Sequence, residues 1–206
     1  MAIMPVDPHL HARHSVFLTE DECQHIAHIL TRDESKILQI SNPNQTGYTG
    51  LTAQHTVYNL LRHPDIRPLN IPQRLFNLPE FKDYHHLGIQ AWGNILRQGE
   101  DLQTHHHGTQ DEIEQEQNFY ASNIFLHGHT PSYTHYERDR LPNIVGELHL
   151  VGHQVEHGVK NNIHTQPRIS MAMDIYVDGD AHKEEIKYNG EVDSNRFIYY
   201  TRDTLV

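Results

Sequence analysis

Hydrophobic positions along the chain change their period near residue 87. Before it, Cys23, Ile26, Ala27, Ile29 and Leu30 recur at helical spacing. Thr19 followed three residues later by Glu22 is a capping box, and the acidic turn Glu20-Asp21-Glu22 suits the positive end of a helix dipole. The pattern predicts a helix starting after Thr19, entered from a short strand at Ser15-Val16-Phe17-Leu18. His25 and His28 read as boundary or surface positions on that helix. Residues 41–50, with Asn42-Pro43-Asn44 and two glycines, read as a loop, and residues 52–62 show no clear period. Pro64, Pro68 and Pro72 break any long element, and Leu75, Phe76 and Leu78 after Pro72 predict a second short helix within residues 69–81.

From Leu87 the texture becomes strand-like. Leu87, Ile89, Ala91 and the sole tryptophan, Trp92, then Ile95 and Leu96, predict strands interrupted by turns at Gly93 and Gly99. Residues 119–126, 146–157, 168–177 and 196–201 are further runs rich in aromatic and β-branched residues. Residues 112–117, rich in Glu and Gln, read as a solvated loop or short helix. Helices first and strands later predict an α+β chain. At 206 residues one domain suffices, with helical support over residues 1–86 and a β core over residues 87–206.

Charge and cysteine content narrow the function. A formal net charge of −11 argues against nucleic acid and anionic membrane, since phosphate binding needs clustered Lys and Arg. A small-molecule or peptide substrate fits better. The single cysteine, Cys23, excludes an internal disulfide and any cysteine-ligated zinc or iron-sulfur site. No apolar signal region opens the chain and no run approaches the roughly 20 apolar residues of a membrane span, so a cytoplasmic protein is expected.

The histidines carry the chemistry. In Gln103-Thr104-His105-His106-His107-Gly108, an extended backbone would project His105 and His107 to one face and His106 to the other. Two imidazoles on one face form part of a metal site, and His157 is the best candidate for a third ligand.

The motifs resemble, in order, those of the Fe(II)/2-oxoglutarate-dependent oxygenases: Trp92-Gly93-Asn94, His105-x-His107, Gly146, His157-Gly158-Val159 and Arg168-Ile169-Ser170. The resemblance spans about residues 87–175 and is nearest to a branch with His-x-His, a distal His and Arg-Ile-Ser. It implies a double-stranded β-helix, a jelly-roll or cupin-like barrel, with N-terminal supporting helices. It further implies Fe(II) on His105, His107 and His157, and 2-oxoglutarate with its distal carboxylate on Arg168, where a guanidinium fork makes a bidentate contact. Ser170 and Asn94 would add hydrogen bonds. The implied activity is a dioxygenase reaction with molecular oxygen that hydroxylates a substrate and releases succinate and CO2. In one respect the chain departs from the family: His107 stands where most members have a carboxylate, which would leave the metal with three neutral ligands.

Other readings remain open at this level. His106-x-Gly108 resembles the His-x-Gly of iron halogenases. Gly99, His105-x-His107 and Glu112 resemble the first motif of metal cupins, which would make Glu112 a ligand. His153-Gln154-Val155-Glu156-His157 satisfies the His-x-x-Glu-His of certain zinc peptidases, but its flanking glycines and strand-like neighbours leave little room for the required helix. His127-x-His129 with His135 reads as a polar loop, with Tyr133 and Tyr136 beside it. A non-catalytic, metal-binding β-barrel would carry the same histidines.

Overall fold

The computed structural model describes residues 10–42, 49–107, 119–137, 139–160, 162–177, 187–188, 191–192 and 196–204. In chain order the main elements are β1 (His11–His14), α1 (Glu20–Leu38), α2 (Ile71–Phe76), β2 (His86–Leu96), β3 (Leu102–His105), β4 (Phe119–His127), β5 (Tyr133–Tyr136), β6 (Asp139–Pro142), β7 (Leu148–Gly152), β8 (His157–Val159), β9 (Arg168–Val177), the hairpin β10 (Lys187–Tyr188) and β11 (Glu191–Val192), and β12 (Ile198–Thr201). Two antiparallel sheets face each other. The larger has the order β1-β7-β4-β9-β2-β12 and the smaller β3-β8-β5-β6. Their inner four-strand sets are those of a double-stranded β-helix, and the larger sheet is widened by β1 and β12.

The larger sheet is buried on both faces, and its alternation decides what each face does. Leu87, Ile89, Ala91 and Ile95 of β2, with Ile169, Met171, Met173, Ile175 and Val177 of β9, join Ile26, Ile29 and Leu30 of α1 in the main apolar core. The intervening positions, Gln90, Trp92 and Asn94 on β2 and Arg168, Ser170, Ala172 and Asp174 on β9, turn to the other face, toward the smaller sheet. All of them are buried. The β2–β9 register is continuous from Leu87↔Val177 to Leu96↔Arg168.

The capping box at Thr19 and Glu22 forms as expected. Glu22 is also bound by Arg74, whose Nη1 donates to the Phe17 carbonyl as well, so the start of α1 is tied to α2. Gly93 does not interrupt β2. A Cβ there would stand 2.3 Å from Leu30 Cδ2, so the glycine lets α1 lie directly on the strand. Two further expectations are corrected, and the stretch without a clear period is resolved. The strand before α1 is His11–His14, paired with β7, while residues 15–18 turn into the helix. Residues 52–62 are mostly short 3-10 turns. The run 146–157 is not one strand: β7 and β8 belong to different sheets, separated by a turn. Residues 112–117 lie outside the described residues. No described helix is long and apolar enough to cross a membrane.

Two stability predictions follow from burial and backbone geometry. Gly146 has φ +78, and a Cβ there would lie 2.1 Å from the Leu18 carbonyl oxygen. Gly146→Ala is therefore expected to cost more than about 1 kcal/mol, read as a lowered urea midpoint. His11, His55 and His149 are each held below their ordinary pKa of 6.5, chiefly by burial. Below pH 6.5 the unfolded chain thus binds more protons than the folded one, so their contribution is complete above that pH and is lost as pH falls. The urea midpoint should be lower at pH 5.5 than at pH 7.5.

Candidate metal centre

Strand pairing builds the site. His105, the last residue of β3, lies opposite His157, the first of β8, and the chain leaving β3 is held by a hydrogen bond from the His107 amide to the His153 carbonyl (3.0 Å). His105, His107 and His157 consequently converge, each offering a nitrogen within 4.8 Å of the others. His107 and His157 are buried, their rings stacked at 4.9 Å.

Each ring has one nitrogen committed. His105 Nδ1 donates to the Gln103 carbonyl (2.8 Å), His157 Nδ1 to the Val155 carbonyl (3.0 Å), and His107 Nδ1 to Asp174 Oδ1 (2.5 Å). Carbonyl and carboxylate oxygens accept, so Nδ1 of each ring carries a proton, and Nε2 is the nitrogen turned toward the other two rings. Burial, reinforced by the neighbouring imidazoles, lowers His105 to about 4 and His157 well below its ordinary value. Both rings are neutral at pH 7. Yet His107 Nε2 and His157 Nε2 face each other at 3.2 Å. A proton or a cation can bridge two nitrogens at that separation. Adjacent imidazole ligands of one ion, each at about 2.1 Å, stand roughly 3 Å apart, so the His107–His157 spacing suits a divalent transition metal, with His105 within 4.8 Å of both.

Asp174 supplies the negative charge the three rings lack. Burial raises its carboxyl group, but His107, Arg196 and His55 outweigh that and hold it below the usual carboxylate range. It is a buried anion one hydrogen bond from the ligand set. Sequence reading passed over it, although the alternation Arg168, Ser170, Ala172, Asp174 on one face of an otherwise apolar strand marks it. Trp92 stacks on His107 at 5.9 Å, and its indole N–H is buried without a partner.

Farther along β9, Arg168 is buried. Its Nη1 donates to Ser170 Oγ (3.0 Å) and its Nη2 to Thr134 Oγ1 (3.1 Å), while Nε has no partner. Among the described residues no carboxylate comes within ion-pair distance, and burial lowers its pKa to about 10. Ser170 thus orients the guanidinium. Asn94, opposite Ser170 in the register, accepts from Thr52 Oγ1 (2.5 Å).

The rival motifs fare differently. His106 is exposed and outside the convergent group, so the His106-x-Gly108 register loses its histidine, and Gly108 and Glu112 lie outside the described residues. Residues 153–157 form no helix, and His153 Nδ1 donates to the Phe119 carbonyl (3.2 Å), which removes the zinc-peptidase reading. His127, His129 and His135 do not converge as a metal group; His129 instead stacks on His164 at 3.7 Å. Tyr136 is buried beside His157 and hydrogen-bonds His149 Nδ1 (3.0 Å).

The chain is similar in structure to the non-heme alpha-ketoglutarate-dependent epimerase SnoN from nogalamycin biosynthesis, with TM-score 0.60 and 12% identity over 92% of this chain and 91% of that one. HygX from Streptomyces hygroscopicus, with nickel and 2-oxoglutarate bound, aligns with TM-score 0.58 and 12% identity over 91% and 93%. The non-heme monooxygenase ThoJ, as a nickel complex, aligns with TM-score 0.53 and 11% identity over 85% and 73%. At such identities the likeness is one of fold, and it agrees with the double-stranded β-helix expected from the motifs. No protein-family model and no curated protein matches the chain.

His157→Ala should abolish tight binding of Fe(II) or Zn(II), and Asp174→Asn should weaken it roughly 10- to 100-fold, the usual effect of losing an outer hydrogen-bond partner. His106→Ala should leave it unchanged. Metal titration of the three variants, with circular dichroism to show retained fold, checks the assignment.

Proposed function

We propose that the protein is a non-haem Fe(II)- and 2-oxoglutarate-dependent oxygenase that hydroxylates a small-molecule or peptide substrate. The observation that carries this reading is a complementary pair on one barrel interior: three convergent imidazoles suited to a cation, and a buried guanidinium with no acid within ion-pair distance among the described residues. A buried unpaired charge is costly, so Arg168 is best explained by an anionic ligand that completes it. A dicarboxylate that reaches from metal to guanidinium engages both groups, and the fold is shared with HygX, which holds 2-oxoglutarate and nickel.

His105, His107 and His157 would hold the iron through Nε2 and leave other positions open. Arg168 would bind the distal carboxylate of 2-oxoglutarate. Ser170 and Thr134 aim its guanidinium, and Thr134 can accept from it because its own hydroxyl donates to Asn143 Oδ1 (2.8 Å). Asn94 lies on the same face and would add a polar contact, while the unpartnered indole N–H of Trp92 offers a donor beside His107. Asp174 keeps His107 in its Nδ1-protonated form and returns negative charge to a site whose ligands are neutral. Iron with 2-oxoglutarate supplies the oxidising chemistry, in which O2 is consumed, succinate and CO2 leave, and a substrate C–H becomes C–OH. Phe125 beneath the guanidinium and Tyr136 beside His157 keep bulk water out of this interior.

Anaerobic titration with Fe(II) and then 2-oxoglutarate tests the reading through the visible charge-transfer band of the chelate. The band should form in the unaltered protein and vanish in His157→Ala. In Arg168→Ala iron should remain while 2-oxoglutarate binds roughly 30- to 150-fold more weakly, corresponding to about 2–3 kcal/mol for a charge-assisted contact. Unchanged 2-oxoglutarate affinity in Arg168→Ala would overturn the cosubstrate assignment.

A further inference from the structure

A cavity of about 450 Å³ has none of His105, His107 and His157 in its lining. Asp174 sits at His107, and Arg168, six residues upstream on the same strand, ends that inward-facing row. The cavity opens at that Arg168 end, between the β4–β5 loop, the β5–β6 hairpin and the chain joining β8 to β9. Its volume falls in the range typical of small-ligand sites.

Its lining is unlike the rest of the molecule. The chain carries a net charge of −11, yet among the described residues the charged groups lining this cavity are Arg140, Lys160 and Arg168, with no carboxylate among them. Among the described residues none of the three is within ion-pair distance of an acid. Arg140 is instead laid over the Tyr133 ring, its Cζ 3.6 Å from the centroid, which holds the guanidinium in place at the cavity wall. His135 and the stacked pair His129 and His164 add ring N–H groups and flat surface. The positive field is felt locally: His135 is lowered first by burial and then by Lys160 and Arg140. Ile163, 72% exposed, supplies an apolar rim.

We infer that this cavity is a binding site for a small organic polyanion, one carrying phosphate or carboxylate groups, held by Arg140 and Lys160. Those two cations are on the outer side of the smaller sheet's hairpin and on the β8–β9 connection, and neither belongs to the metal centre. Arg168 backs both the cavity and the barrel interior. The site is therefore tested through Arg140 and Lys160, so that its failure is separable from failure of the cosubstrate reading.

The experiment is calorimetric titration of the full chain with pyrophosphate and, separately, with tricarballylate, alongside the Fe(II)/2-oxoglutarate band. One saturable site is expected, weakening as salt is raised. The probe that binds more tightly identifies phosphate or carboxylate as the natural group. Both residues are exposed, so Arg140→Gln/Lys160→Gln should fold normally; it should bind the better probe at least ~10-fold more weakly and leave the band unchanged. The inference is overturned if neither probe binds saturably, if the double variant binds as well as the parent, or if 2-oxoglutarate displaces the probe one for one. The last result would place the anion on Arg168 inside the barrel.

Discussion

Three imidazoles drawn together, two of them with Nε2 atoms 3.2 Å apart, are the constraint around which this barrel is arranged. Each ring is locked from behind by a hydrogen bond at Nδ1. The locks come from three places: the backbone of β3, the turn before β8, and a carboxylate on β9.

Arg168 is the complementary case. It is a cation taken out of water with two hydroxyl acceptors and, among the described residues, no acid within ion-pair distance, an arrangement that weakens a fold unless a ligand completes it. Two of the buried polar atoms without a partner among the described residues, Trp92 Nε1 and Arg168 Nε, lie on the barrel interior, while the face of the same sheet toward α1 is apolar. Local inconsistency of this kind marks function more reliably than any single motif. Asp174 places a negative charge one hydrogen bond behind His107.

The period change near residue 87, the capping box at Thr19 and the ordered motifs were all readable because they depend on neighbours within a few residues. So was the pairing of His105 with His107, separated by two positions near a strand end. Gly93 was misread as a turn because its purpose, letting Leu30 approach, lies in another element. Residues 146–157 were read as one strand because a turn between two sheets has no periodicity of its own, and β1 was missed because a short edge strand is defined by its partner β7.

What the sequence by itself made legible was the fold class and the candidate set of His105, His107, His157 and Arg168, since residue type and spacing limit which side chains can share a face. What only the tertiary structure decided was that the three imidazoles converge, that Asp174 stands behind His107, and that Arg168 has no acid within ion-pair distance among the described residues. The contact between His107 and Asp174 joins residues 67 positions apart. Such contacts exist only once the two sheets have closed on each other, because long-range register, and not local pattern, sets them.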